Sequence, residues 1–162
     1  MEWTRGEYRV TDDPAAPDRD AVYAFLSGSY WARGIDRERF SRSLDNSLCF
    51  TLQCVNRGER TLAGFCRAVT DRATFAYLAD VFVLPEHRGR GLGAWLVACV
   101  REHPDLQGLR RFLLATADAH GLYARFGFTP LASAEAFMEI HTPYGAQPAG
   151  RNASPGGDTD DG

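Results

Sequence analysis

The run from Val81 to Ala94, Val-Phe-Val-Leu-Pro-Glu-His-Arg-Gly-Arg-Gly-Leu-Gly-Ala, constrains this chain more than any other segment. An apolar strand closes at Pro85 and passes into a loop that carries Gly89, Gly91 and Gly93 between Arg88, Arg90 and Ala94. Leu92 to Arg101 continues at once as an apolar, helix-compatible stretch. Strand, glycine loop and helix in that order make a cradle for phosphate groups. The loop's N–H groups converge on an anion, and the helix N-terminus adds its partial positive charge. Glycines keep side chains out of the way, so the backbone can approach a ligand closely.

With 162 residues the chain is sized for one domain with a single substantial core. Its net charge of −3 gives no general attraction to nucleic acid or to an anionic membrane. Arg88 and Arg90 therefore read as a local anion site. Cys49, Cys54, Cys66 and Cys99 have mostly apolar neighbours, and none forms a Cys-x-x-Cys pair or a Cys/His spacing for zinc. They read as reduced, small hydrophobes, and no metal is implied. Glu2, Arg5 and Glu7 argue against a secretory leader, and no apolar run approaches the ~20 residues of a membrane span. The expectation is a soluble cytoplasmic protein with no nucleic-acid or membrane partner.

Residues 145–162 hold Gly, Pro, Ala, Ser, Asn and Asp with no large apolar side chain, which predicts a disordered tail behind a domain of residues 1–144. Within that domain Tyr8 to Val10 reads as an opening strand. Asp18 or Asp20 caps a helix to about Gly28, and Asp36 caps a second through Phe40 and Leu44. Ser47 to Val55 and Thr61 to Val69 read as strands joined at Asn56-Arg57-Gly58. Phe75 to Leu84 is a longer strand before the glycine loop. The helix after the loop stops at Pro104, and Leu109 to Ala115 is a buried strand. A short helix holds Leu122, Tyr123 and Phe126 and ends at Gly127, and Phe137 to Ile140 reads as the last strand. The order is that of an α+β fold with a strand–helix–strand unit around the loop.

Three chemistries compete for the loop. A nucleoside-triphosphate site needs Gly-Lys-Ser/Thr, and Gly93-Ala94-Trp95 supplies neither lysine nor hydroxyl. A dinucleotide fingerprint is matched literally by Gly89 to Ala94, with Asp118 placed for a ribose. Against it, Pro85-Glu86-His87-Arg88 separate strand from glycine, and three antiparallel strands come first. The third reading takes in more residues. Arg88-Gly-Arg-Gly91-Leu-Gly93 fits Arg/Gln-x-x-Gly-x-Gly/Ala behind Pro85-Glu86, and Leu122-Tyr123-Ala-Arg-Phe-Gly127-Phe128 follows farther on. On these motifs the chain resembles the GNAT superfamily of acyl-CoA-dependent N-acyltransferases over about residues 4 to 141.

The resemblance implies a mixed, mostly antiparallel sheet flanked by helices, with two central strands splayed around the thioester arm of acetyl-CoA. Main-chain groups of Phe82 and Val83 would pair with the pantetheine amides. The N–H groups of Gly89, Arg90, Gly91, Leu92, Gly93 and Ala94 would hold the pyrophosphate, with Arg88 and Arg90 adding charge. Tyr123 would stand near the sulfur and protonate the departing thiolate. Its plain alternative is an aromatic packed in the core. Many relatives place an asparagine that contacts the cofactor where Thr116 stands, so Thr116 would take that contact with a hydroxyl donor and acceptor of shorter reach. His120, one helical turn before Tyr123, reads either as a surface residue or as a further contact.

Asp80 is the acid beside Val81-Phe82-Val83, where several family members carry one. A carboxylate in an apolar strand is costly unless a site partners or solvates it. It is a candidate base for the attacking amine, a contact for the substrate, or a structural carboxylate. Asp71 is a further acid, best read as a turn residue. Tyr30 and Trp31 fill the connection between the first two helices, and suit an amine through cation–π contact or serve as packing.

The expected activity is transfer of the acetyl group of acetyl-CoA to a primary amine of a small molecule or peptide, by direct attack in a ternary complex. The alternative is a CoA-binding sensor without turnover. The resemblance leaves room for a homodimer.

Overall fold

The computed structural model describes residues 1–145. Beyond Gly145, the tail expected over 145–162 lies outside the described residues. Strands β1 (Glu2–Arg5) and β2 (Tyr8–Thr11) form a hairpin at Gly6, whose φ is +60°. Helices α1 (Arg19–Gly28) and α2 (Arg37–Asp45) follow. Asp18 caps the first by accepting the Ala21 N–H, and Asp36 caps the second by accepting the Arg39 N–H. Strands β3 (Leu48–Asn56), β4 (Glu59–Thr70) and β5 (Phe75–Val83) are antiparallel neighbours. Arg57 and Gly58, both at positive φ, turn β3 into β4. Helix α3 (Leu92–Glu102) crosses over to β6 (Arg111–Leu114), which lies parallel to β5, and α4 (His120–Ala124) follows.

The six strands form one sheet in sequence order, antiparallel except for β5 and β6. Both faces are covered, and the two-residue period of β3 sorts its side chains between them. Leu48, Phe50 and Leu52 join Leu96, Val97 and Val100 of α3 in one layer. Cys49 joins Val22 and Leu26 of α1 and Phe40 and Leu44 of α2 in the other.

Two features of β5 position the site. Its pairing with β6 ends at Leu78 opposite Leu114, so from Ala79 to Val83 that flank has no strand beside it. Its pairing with β4 is interrupted by a bulge. Phe65 faces Phe82 and Arg67 faces Ala79, which sets Asp80 and Val81 against Cys66 alone. Asp80 takes the extra turn at φ +56°, a left-handed conformation that costs an ordinary side chain about 1–2 kcal/mol.

Three expectations are corrected. Leu109 to Ala115 is not a buried strand: β6 spans only Arg111–Leu114, lies at the end of the sheet, and none of its residues is fully buried. Tyr8–Thr11 is the second strand, because Glu2–Arg5 pairs outside it. Phe137 to Ile140 is not a strand. Apolar alternation makes a strand only where an edge accepts the backbone, and among the described residues no segment pairs with the outer edge of β6. A short 3-10 turn at Ala134–Ala136 precedes the run, the Phe137 ring lies 4.7 Å from the Arg111 guanidinium, and Met138 and Ile140 are 98% and 99% exposed.

Candidate active site

The glycine loop takes the shape its composition implies. Gly89 and Gly91 adopt φ of +76° and +70°, and Gly91 is the N-cap of α3. The first N–H to close a bond in that helix is Trp95's, to Gly91 O, which leaves Leu92, Gly93 and Ala94 with N–H groups at an open helix end. Leu92 is buried and roots the helix in the core. A Cβ on Gly93 would meet nothing nearer than Val83 Cγ2 at 3.8 Å. Three N–H groups and a helix dipole thus face outward at the end of the strand that lacks a neighbour.

The arginines sit differently from the simplest expectation. Arg88 donates from Nε to the Val83 carbonyl at 2.9 Å, folding the loop back on β5 and occupying that acceptor. Arg90 donates from Nη1 to Glu7 Oε1 at 3.1 Å and to Tyr8 Oη at 2.7 Å. Tyr8 Oη also bonds His87 Nδ1 at 3.1 Å, so the β1–β2 hairpin is clamped to the loop. The arginine that stands over the loop is Arg5. Both of its terminal nitrogens lie 3.9 Å from where a Cβ on Gly91 would be, and it has no carboxylate partner among the described residues. No local motif marks Arg5, because only the hairpin brings it there.

Beside the open flank of β5 lies a cavity of about 530 Å³, lined by Tyr30, Trp31, Arg67, Asp80, Thr116 and Tyr123 among others. Of the two strand residues expected to pair with a pantetheine arm, Phe82 instead turns its carbonyl toward Gly64 of β4, because neighbouring strand residues point to opposite edges, and Val83 is the one facing the open flank. The buried Phe82 ring stacks on Phe25, 4.0 Å between centroids. Tyr123 is buried, edge-on to Phe128, and burial pushes its phenol up to about 12. The proton stays on the oxygen at neutral pH, but burial makes the phenol a weaker acid, so donation to a thiolate depends on placement beside the sulfur. Thr116 Oγ1 accepts the Ala119 N–H at 3.0 Å, so its hydroxyl shapes the turn into α4 as well as facing the cavity. His120 is exposed.

Asp80 accepts from Arg67 Nε at 2.5 Å through Oδ2, and the two side chains are only 12% and 13% exposed. Arg67 Nη1 also reaches Ser47 Oγ at 3.2 Å. Sequence reasoning passed over Arg67. The signal was the one that marked Asp80, a charge inside an otherwise apolar strand, here Phe65-Cys66-Arg67-Ala68-Val69. Asp71 stays out of the cavity. Its carboxylate accepts the N–H groups of Ala73, Thr74 and Phe75 and the Thr74 hydroxyl, which holds it well below the usual carboxylate range and closes the β4–β5 turn. Among the described residues no group of His, Cys, Asp and Glu is arranged to hold a metal ion, and no helix is long and apolar enough to cross a membrane.

An open strand flank, a glycine cradle at its end and a buried phenol meet at one site, and comparison with known proteins gives the class of protein that has this fold. Residues 7–128 match the acetyltransferase (GNAT) family model. The chain is 36% identical over 142 residues to a "putative acetyltransferase" of Gibberella zeae, covering 76% of this chain and 79% of that one. It is 47% identical to the crystal structure of a "putative acetyltransferase belonging to the GNAT family" from Xanthomonas campestris pv. campestris, with a TM-score of 0.79, covering 86% of this chain and 97% of that one. A "predicted acetyltransferase" of Clostridium acetobutylicum, solved with acetyl-CoA, shares the fold at 13% identity and a TM-score of 0.56, covering 87% of this chain and 96% of that one. The chain belongs to the GNAT acetyltransferase family.

Proposed function

We propose that this chain transfers the acetyl group of acetyl-CoA to a primary amine of a small molecule or peptide by direct attack in a ternary complex. The observation that carries the reading is the flank of β5 left open beyond Leu78, which ends at the glycine loop and runs past Tyr123. The Clostridium relative solved with acetyl-CoA supports the choice of donor.

In this reading the N–H groups of Leu92, Gly93 and Ala94 and the Arg5 guanidinium receive the donor's pyrophosphate. The Val83 N–H pairs with its pantetheine arm, while the Phe82 main chain is turned to β4, and Arg88 braces the loop from behind. Arg90 keeps the hairpin, and with it Arg5, in place. The N–H of Val81 polarises the thioester carbonyl. The amine attacks that carbon, the C–N bond forms and the C–S bond breaks. The leaving sulfur takes a proton from Tyr123 Oη, and the amine gives up its own to Asp80 or through water. Tyr30 and Trp31 wall the acceptor side. The four free thiols fit a reducing compartment, the cytoplasm.

The test is release of CoA thiol from acetyl-CoA across a broad panel of amines. Turnover with at least one amine, lost in Tyr123→Phe while acetyl-CoA affinity holds, is the expected result. Binding of CoA with no turnover on any amine would replace the enzyme with a sensor. A thermal shift with NAD(H) and none with acetyl-CoA would overturn both.

A further inference from the structure

The geometry points to an acceptor that carries an anionic group close to its amine: the Arg67–Asp80 pair is a receptor for a zwitterion. This rests on the acetyltransferase reading and names the substrate class of that site.

Arg67 is held on two of its three nitrogens, by Asp80 through Nε and by Ser47 through Nη1. Ser47 Oγ is fixed in turn by donating to Ser43 O at 2.6 Å, at the end of α2. Asp80 is fixed by the bulge of β5, at a backbone conformation an aspartate adopts at a cost. Arg67 Nη2 and Asp80 Oδ1 are left: neither takes part in the bonds that tie Arg67 to Asp80 and Ser47. Both residues line the cavity.

A largely buried ion pair is an expensive way to stabilise a sheet, since desolvation of two charges offsets much of their attraction. A lone Asp80 would suffice to draw a simple amine. With Arg67 in contact the pair is neutral overall, and it matches a ligand that presents both signs. The ammonium meets Oδ1 and the anion meets Nη2, where a guanidinium N–H gives a charge-assisted bond. Because the two receptor groups touch, the ligand's charges must also be near neighbours, as in an α-amino acid or an aminoalkyl phosphate. The other charge on the wall is Asp118, an exposed acid beyond β6, and Tyr30 and Trp31 are left to receive the uncharged remainder.

The experiment uses the full chain at saturating acetyl-CoA. Each of a panel of α-amino acids is set against the amine that lacks its carboxylate, phenylalanine against phenethylamine and serine against ethanolamine, and phosphoethanolamine is set against ethanolamine. Tenfold or greater kcat/KM for the anionic member is expected in the carboxylate pairs or in the phosphate pair, which tells the two anions apart. Arg67→Met should shrink that ratio at least fivefold and Arg67→Lys should restore part of it. Damage to the fold lowers both members of a pair and leaves the ratio, so the ratio reports the charge alone. Acetylation that favours the uncharged members, or a ratio that Arg67→Met does not move, overturns the inference and leaves the acetyltransferase standing. Acetyl-CoA binding with no amine acetylated overturns both.

Discussion

A Cβ added to Gly64 would lie 2.6 Å from the carbonyl oxygen of Phe82, inside any real carbon–oxygen contact. Leu52 Cδ2, at 3.1 Å, closes the other side. The separation of β4 and β5 beside the open flank therefore depends on a residue without a side chain. Gly64→Ala should cost about 1–3 kcal/mol, as overpacking does in a dense core, and urea unfolding measures it. The same push displaces Phe82, so acetyl-CoA affinity should fall alongside stability. A variant as stable as the parent would show that the sheet yields at no cost.

Arg5→Ala should raise KM for acetyl-CoA several-fold and leave KM for acetyl-pantetheine, which has no pyrophosphate, unchanged. A charge-assisted contact of about 1.5–3 kcal/mol in dry surroundings is worth less at this exposed position. Equal effects on both donors would place Arg5 outside the phosphate site and leave it a hairpin residue.

Tyr123→Phe removes one oxygen from a buried ring whose packing against Phe128 survives the change. The kcat should drop by about 10²-fold or more, within the range of a lost proton donor, with donor affinity held. Since burial keeps the parent phenol protonated up to about pH 12, its kcat profile should show no tyrosine limb below pH 10.

Burial pushes the Cys49 thiol up to about 11 and the Cys99 thiol up to about 12, from an ordinary 9.0, and Cys66 rises as well. The folded chain holds these protons more tightly than the unfolded one. Their contribution to stability is complete below pH 9 and is lost as pH climbs through 11 and 12. Urea midpoints should be flat from pH 7 to 9 on this account and fall above it. A thiol reagent at pH 8 should label Cys54, the one cysteine that is not fully buried, well before the other three.

Much of this was readable beforehand, and the misses share a cause. Asp18 and Asp36 announced their helices because a cap acts within one turn of chain. Asn56-Arg57-Gly58 announced its turn for the same reason. The glycine loop carried its own geometry in Gly89 and Gly91. What escaped depends on pairing between distant segments. Glu2-Trp-Thr-Arg5 is short and polar, and becomes a strand only because β2 accepts it. Phe137 to Ile140 has the apolar look of a strand and no edge to lie on. Arg88 and Arg90 sit in the expected motif, yet bond to Val83 and to the hairpin, while Arg5 stands over Gly91. Arg67 meets Asp80 across a bulge whose register no local pattern specifies.

The clamp between hairpin and loop works at a distance. Glu7 and Tyr8 hold Arg90, and Tyr8 also bonds His87, so the opening ribbon is wired to the phosphate end of the molecule. A substitution that unpairs β1 from β2 would therefore be felt at the donor's end of the site, about eighty residues along the chain from where it was made.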